Sequence, residues 1–298
     1  MKKRINIFMA LLLCMAIMMG NVAYANEQEE QDDIDARTMV VYNLETGEVT
    51  YDVVDEEEMM EKVANYRLSV ETAKMTSQET AQNQPELNSP QLIDMSRMNE
   101  SPYNAIGRVD TEFSGTKDKE KHGTGTMLPG NLVLTSAHVV YDIEDGRGFA
   151  INTLFKPHFT VGNMTGGKKP KHVIVPLKFT RDHDDAYDYA MLAFDNDLGI
   201  GCLGLAFSGD YSTHDGRILH MLGYQPEKDM GMYSQYGKIL SSDYSYLYSG
   251  MKTENGWSGG PLLEDDTYVI GVLKGRWFTR ARIVRITEEI FNMIVSYM

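Results

Sequence analysis

The sequence predicts an all-β domain closed by one C-terminal helix, standing behind a short apolar leader and an acidic segment. Three observations carry this. Short apolar runs punctuated by Gly, Pro, Asn and Asp recur from residue 101 onward, which indicates a barrel or sandwich rather than a βαβ fold. The last dozen residues switch to helical spacing. The charge is unevenly placed. The chain of 298 residues carries a net charge of −15, of which residues 26–100 supply 19 acids against 5 bases, whereas residues 101–298 sum to only −4.

The leader comes first. Lys2, Lys3 and Arg4 precede an apolar run over residues 5–19, and Ala23-Tyr24-Ala25 offers the small-x-small pattern of a signal-peptidase site. The run is short for a bilayer span. Residues 1–25 are therefore expected to be a cleaved signal peptide, and the mature protein to be secreted, with no membrane association. Cleavage removes Cys14 and leaves Cys202 as the one cysteine, so no internal disulfide is expected. The setting Gly201-Cys202-Leu203-Gly204-Leu205 predicts a small buried hydrophobe.

Residues 26–100 read as an acidic pro-segment. Alternation over 38–54 around Thr46-Gly47 predicts a hairpin, and 55–74 predicts a helix with acids at its start, where the helix dipole favours them. Residues 75–90 are rich in Gln, Asn, Ser and Thr and read as a linker. The plainer reading is a flexible acidic tail. The acidic balance argues against nucleic-acid binding, which needs a basic surface to displace counterions.

The β domain follows. Candidate strands lie at residues 104–109, 125–128, 132–136, 173–179, 190–194, 218–223, 237–240, 268–273 and 282–286. Thr287-Glu288-Glu289 starts the closing helix, on which Ile290, Ile294 and Val295 share a face.

Three motifs carry chemistry. Leu134-Thr135-Ser136-Ala137-His138 ends a β-rich run in a histidine, Tyr187-Asp188-Tyr189-Ala190 sets an aspartate before an apolar strand, and Asn255-Gly256-Trp257-Ser258-Gly259-Gly260-Pro261 places a serine on a glycine turn. A serine hydroxyl becomes a competent nucleophile when an imidazole takes its proton. The imidazole needs a carboxylate to fix its tautomer. The developing oxyanion needs preorganised donors, here the N–H groups of Gly256 and Ser258. Each motif alone is weak: the histidine could be a satisfied strand-end residue, the aspartate a loop acid, the Ser-Gly-Gly-Pro any turn. Together, in the order His138, Asp188, Ser258 with gaps of 50 and 70 residues, they form one constellation.

On these motifs, residues 101–298 resemble a chymotrypsin-fold serine protease, and most closely the bacterial glutamyl endopeptidase branch. Asp185-Ala186-Tyr187-Asp188-Tyr189-Ala190, and Leu222-Gly223-Tyr224-Gln225-Pro226 leading to Gly237-Lys238-Ile239, resemble that branch as well. The resemblance implies two six-stranded antiparallel barrels, at about 101–200 and 201–298, with the triad between them. It implies a secreted monomeric endopeptidase acting on proteins or peptides, made with a pro-segment whose removal, by a cut between about Pro90 and Tyr103, activates it. Trp257 stands where animal trypsin-like enzymes carry the aspartate that receives the new N-terminus, so activation must differ. The branch's pocket threonine is matched by Thr253 and its pocket histidine is replaced by Leu273. Lys252 at the pocket floor, with Lys274 and Arg276 beside the wall at Gly275, would then supply the charge that favours Glu or Asp before the scissile bond.

No metal or cofactor is expected. Arg181-Asp182-His183-Asp184-Asp185 lacks a second ligand set, and residues 162–171 lack a phosphate-loop pattern. His122, His158, His172, His214 and His220 are expected to lack partners comparable to those of His138. Two other functions compete. One is a catalytically silent relative acting as a binding module, against which the intact motifs argue. The other is an envelope quality-control protease, which would carry a peptide-binding domain after the protease, whereas this chain ends at Met298.

Overall fold

The structure is a computed structural model and describes residues 30–74, 86–115, 119–160, 166–225 and 231–298. The expected signal peptide, most of the expected linker, part of the 162–171 loop and Pro226 lie outside the described residues. No helix among the described residues is long and apolar enough to cross a membrane.

Strands β1 (Thr38–Asn43) and β2 (Val49–Val53) form a hairpin, followed by helix α1 (Glu56–Lys74) and the two-residue strand β3 (Gln91–Leu92). Strands β4 (Ile106–Glu112), β5 (Glu120–Leu128) and β6 (Leu132–Thr135) lead into helix α2 (Ala137–Val140). Next come β7 (Tyr141–Asp142), β8 (Gly148–Phe149), β9 (Asn152–Pro157), β10 (His172–Pro176), helix α3 (Leu177–Asp182) and β11 (Ala190–Ala193). The second half holds β12 (Gly204–Leu205), β13 (Ile218–Tyr224), β14 (Met232–Ser242), β15 (Tyr246–Ser249), β16 (Pro261–Glu264), β17 (Tyr268–Trp277), β18 (Arg280–Arg285) and the closing helix α4 (Glu288–Ser296).

The second sheet runs β17-β16-β13-β14-β15-β18, and β17 pairs with β18, so these six strands close into a barrel. The first sheet runs β2-β1-β10-β11-β6-β5-β4-β9. Closure by two regular six-stranded barrels was the expectation, and it holds for the second alone. In the first, no ladder among the described residues joins β9 to β10, and β1 occupies that edge of β10 with five register pairs from Met39↔Pro176 to Asn43↔His172. A strand edge presents unpaired N–H and C=O groups, and the hairpin satisfies them. One short pair, β12 with β17, is parallel.

The acidic segment is therefore not a loose tail. The hairpin and helix form as the alternation and acidic start predict, with Gly47 at φ 73° in the turn, a left-handed conformation that glycine adopts without strain. Met39, Val40 and Leu44 are buried, as are Met59 and Val63, one helical turn apart on α1. That face packs on α4: Tyr66 meets Phe291 edge-on at 5.7 Å, the Lys62 ammonium donates to the Ser296 carbonyl at 2.6 Å, and Arg67 pairs with Glu288 at 3.1 Å. Glu56, Glu57, Glu58 and Glu61 face solvent, so the negative charge stays hydrated while the apolar side chains join the core. At the far end, β3 adds to β14 of the other sheet, and Ile93, Met98 and Tyr103 are buried.

Among strands longer than two residues, β9, β15 and β16 are additional to the sequence reading, as are the two-residue β3, β7, β8 and β12. The apolar run at 173–179 divides at Pro176, which has no N–H to continue a ladder, into β10 and α3. Cys202 is exposed, contrary to expectation. Leu203 and Leu205 take the buried positions in the segment between the sheets, and alternation turns Cys202 outward.

Candidate active site

The buried strand β6 runs into Ser136, the N-cap of α2, which sets His138 in the helix's first turn. Ser136 Oγ donates to the Leu273 carbonyl at 2.9 Å, tying this turn to the second barrel. The His138 backbone N–H donates to Asp188 Oδ1 at 2.9 Å, and His138 Nδ1 donates to Asp188 Oδ2 at 2.8 Å. A carboxylate only accepts, so Nδ1 carries a proton, and in the neutral ring the lone pair is then at Nε2. Asp188 lies at the end of a one-turn helix over Asp185–Tyr187, which the Asp184 carboxylate caps by accepting from Ala186 N at 2.9 Å. The Tyr187 hydroxyl donates to Glu289 of α4 at 2.8 Å, so the closing helix steadies the acid's loop.

The Asp188 side chain is wholly buried, whereas His138 is a third exposed. Burial alone would push the Asp188 carboxyl's pKa up. The charge and hydrogen bond of His138, followed by the Lys274 ammonium, outweigh it and hold the group well below the usual carboxylate range.

The serine turn is shaped by glycine. Trp257 N donates to the Glu254 carbonyl at 3.2 Å, closing a turn in which Gly256 sits third at φ 86°. The N–H groups of Gly256 and Ser258 donate to no acceptor among the described residues. Gly259, also at φ 86°, lies against β5 and β6, and a Cβ there would come within 2.2 Å of the Thr124 carbonyl oxygen. Gly123 makes the same allowance from the other side, since a Cβ would meet Val139 at 2.8 Å and the Ser258 carbonyl oxygen at 3.0 Å. The barrels thus meet at contact distance where the histidine and serine segments face each other. The Ser258 hydroxyl donates to the Lys274 carbonyl at 3.4 Å. Trp257 is buried over Gly223, where a Cβ would come within 2.4 Å of the indole. It fills the second barrel's core.

The residues proposed for the pocket separate. Thr253 is buried. Lys252 turns its side chain to solvent while its backbone is clamped by Gln235, which donates to the Lys252 carbonyl at 2.6 Å. Leu273 lies in the barrel core, so its side chain takes no part in a polar pocket. Lys274 is directed away from the pocket: its ammonium donates to Asp188 Oδ2 at 2.9 Å and to Asp185 Oδ1 at 2.7 Å. Gly275 sits at an irregularity in the β17–β18 ladder, opposite Arg282. The cation beside Thr253 is Arg276, whose Nη2 donates to the Thr253 carbonyl at 2.5 Å and lies 3.7 Å from Glu254.

The acids of the 181–185 stretch are engaged individually: Asp182 by Arg181, Asp184 as a cap, and Asp185 by Lys274 and Arg282. No group of His, Cys, Asp or Glu side chains suited to a metal ion occurs among the described residues.

The expectation that the other histidines lack comparable partners fails at His122, whose Nδ1 lies 2.8 Å from Asp110 Oδ1, and more fully at His220. The His220 Nδ1 donates to Asp266 Oδ1 at 2.6 Å and its Nε2 is hydrogen-bonded to Ser234 Oγ at 2.6 Å, with Tyr236 stacked on the ring at 4.2 Å. This is a second Ser-His-Asp set. Sequence offers only the inward position of His220 on β13. Its partners come from β14 and from the turn before β17, which the barrel brings together.

Residues 123–272 match the Trypsin-like peptidase domain family. A search of curated proteins finds no match. Among solved structures, a Glu endopeptidase in complex with MPD is 20% identical with a TM-score of 0.60, the match covering 70% of this chain and 95% of that one. The protease Anisep from Arthrobacter nicotinovorans is 18% identical with a TM-score of 0.55, covering 67% and 97% respectively. At these identities the likeness is one of fold.

Proposed function

This chain belongs to the trypsin-like peptidase family, has a chymotrypsin-type fold and takes proteins or peptides as substrates, and we propose that it hydrolyses them through Ser258, His138 and Asp188. The observation that carries this reading is the Nδ1–Oδ2 hydrogen bond of 2.8 Å between His138 and a wholly buried Asp188, to which Lys274 ties the serine, its ammonium on Asp188 and its carbonyl accepting from the Ser258 hydroxyl.

In this mechanism the Ser258 hydroxyl swings from the Lys274 carbonyl to His138 Nε2. It attacks the scissile carbonyl carbon as its proton passes to the imidazole. The tetrahedral oxyanion lies against the Gly256 and Ser258 N–H groups. Collapse expels the amine, which takes the proton from His138 and leaves an acyl-serine. Water, deprotonated by His138, then releases the acid and restores the hydroxyl.

The proposed specificity is Glu or Asp before the scissile bond. Arg276 carries it in place of Lys252, because a carboxylate entering a partly desolvated pocket must be met by charge and Arg276 is the cation held at Thr253. We also propose that the protein is exported as a monomer and activated by a cut between about Pro90 and Tyr103. Glu100, exposed and paired with Arg97 at 3.2 Å, is the site a glutamate-preferring enzyme would cut in itself. A cut alone would leave the hairpin and α1 seated on β10 and α4, so their removal further requires loss of those contacts. N-terminal sequencing of secreted protein tests the processing, and active material that still begins at Asn26 refutes it.

A digest of a peptide library mapped by mass spectrometry tests activity and specificity together. Arg276→Ala is expected to weaken cleavage after glutamate by roughly 1 kcal/mol in transition-state binding, since its side chain is half exposed, and to leave cleavage after leucine nearly unchanged. Lys252→Ala should change neither. Preferred cleavage after large apolar residues by the wild type would end the glutamyl reading while keeping the protease.

A further inference from the structure

We propose that Lys274 is a positioning residue for the triad, placing a fixed positive charge on the catalytic carboxylate so that His138 remains a free base at lower pH. The proposal rests on the reading of Ser258 and His138 as nucleophile and base. The geometry that carries it is the sharing of one oxygen: Asp188 Oδ2 accepts from His138 Nδ1 at 2.8 Å and from Lys274 Nζ at 2.9 Å. The lysine side chain is mostly buried. It is held from behind by Asp185 Oδ1 at 2.7 Å, and Asp185 Oδ2 accepts from Arg282 at 2.9 Å. The chain Arg282–Asp185–Lys274–Asp188 thus alternates in sign up to the imidazole.

The charged and titratable groups around the imidazole are Asp188 and Asp185 from the loop before β11, Lys274 from β17, Arg282 from β18 with the Tyr246 ring 5.0 Å from its guanidinium, and Ser258. Protonating His138 sets a second cation on an oxygen that already bears one. The ammonium therefore opposes that protonation, and it limits how far the carboxylate can rotate out of the imidazole plane. Lys274 also presents its carbonyl to the Ser258 hydroxyl, so one residue of β17 touches both ends of the triad.

The test is the pH dependence of covalent labelling of Ser258 by a fluorophosphonate, which needs no knowledge of the substrate. Lys274→Met should move the acidic limb of the labelling rate to higher pH by about one unit, because the carboxylate then stabilises the imidazolium unopposed. Lys274→Arg, which keeps the charge, should restore the limb. Asp185→Asn should move it the other way, since the ammonium is then less neutralised. A purely structural role would lower the plateau in all three without moving the limb. Limbs for Lys274→Met and Asp185→Asn that superimpose on the wild type overturn the proposal. Should Lys274→Met fail to fold, Asp185→Asn decides alone by the direction of its shift. Absence of labelling in the wild type would sink the protease reading instead. In that event NMR titration of the His138 ring, compared between Ser258→Ala and the double variant Ser258→Ala/Asp185→Asn, still reads the influence of the charge chain.

Discussion

The proposed triad and the His220 set are built inside out with respect to each other. In the set at Ser258 the acid is the closed end: Asp188 is wholly buried and His138 opens to solvent. In the set at Ser234 the histidine is the closed end: His220 is 2% exposed at its side chain, and Asp266, at 27%, faces outward. Ser258 stands on a turn between glycines, with amide groups left to donate. Ser234 lies in mid-strand, paired to Leu222 on one side and Gln91 on the other, where the backbone is committed to ladders. Three side chains in the right order of hydrogen bonds are therefore not a catalytic site. A substrate carbonyl must reach the serine, and preorganised donors must await its oxygen. The Ser234 set instead joins β13, β14 and the turn before β17 from within.

The comparison breaks most readily at the serines. Ser258→Ala should abolish turnover, by roughly a million-fold, and end fluorophosphonate labelling, whereas Ser234→Ala should keep both within about two-fold. Labelling that survives in Ser258→Ala and disappears in Ser234→Ala would reverse the assignment. At the acids, Asp188→Asn should lower turnover on the order of ten-thousand-fold, because the amide can hold the wrong imidazole tautomer. Asp266→Asn should leave the rate unchanged and lower the unfolding midpoint in urea. Equal kinetic loss in both variants would remove the distinction.

A third histidine–carboxylate pair, which has no serine, sharpens the contrast through pH. Burial opposes ionisation of Asp110, but hydrogen bonds from His122 and Lys156 and the charges of Arg108 and Lys156 outweigh it and hold the carboxyl at about 2. A depressed carboxyl stabilises the fold at pH above its unfolded-state value, near 4, and that contribution fades as pH falls toward 2. Asp110→Asn should therefore cost about 2 kcal/mol at neutral pH, with the difference closing in strong acid, as read by denaturant melts across pH. A difference independent of pH would refute it. The smallest effect is expected at Ser234→Ala, about 1–2 kcal/mol of stability for one buried hydrogen bond and the imidazole nitrogen it leaves unpaired.

Much of the protease half was legible in advance because its signals are local. Inward-facing apolar runs mark β4, β6, β11, β13 and β17, a Thr-Glu-Glu start marks α4, and Gly256 and Gly259 mark a turn that needs left-handed backbone. Short strands without such a run, β9, β15 and β16, passed unseen. Spacing from Ser258 gives positions along a strand without giving the direction a long side chain takes. Lys252, Lys274 and Arg276 stood together in the sequence as three cations near one pocket. Folded, one points to solvent, one grips Asp188, and one is bonded at Thr253.

Local signals along the chain suffice for the β class, the closing helix and the serine turn, because periodicity and glycine conformation act over a few residues. The sequence also brings His138, Asp188 and Ser258 into view through the ordered motifs around them. Only the tertiary structure decided which carboxylates meet which cations, that His220 has a serine and an acid of its own, and that the acidic segment completes the edge of β10 rather than hanging free. Those outcomes depend on distances between residues far apart in the chain. Charge and hydrogen-bond energies there turn on a few ångströms, and closure of the barrel sets those ångströms.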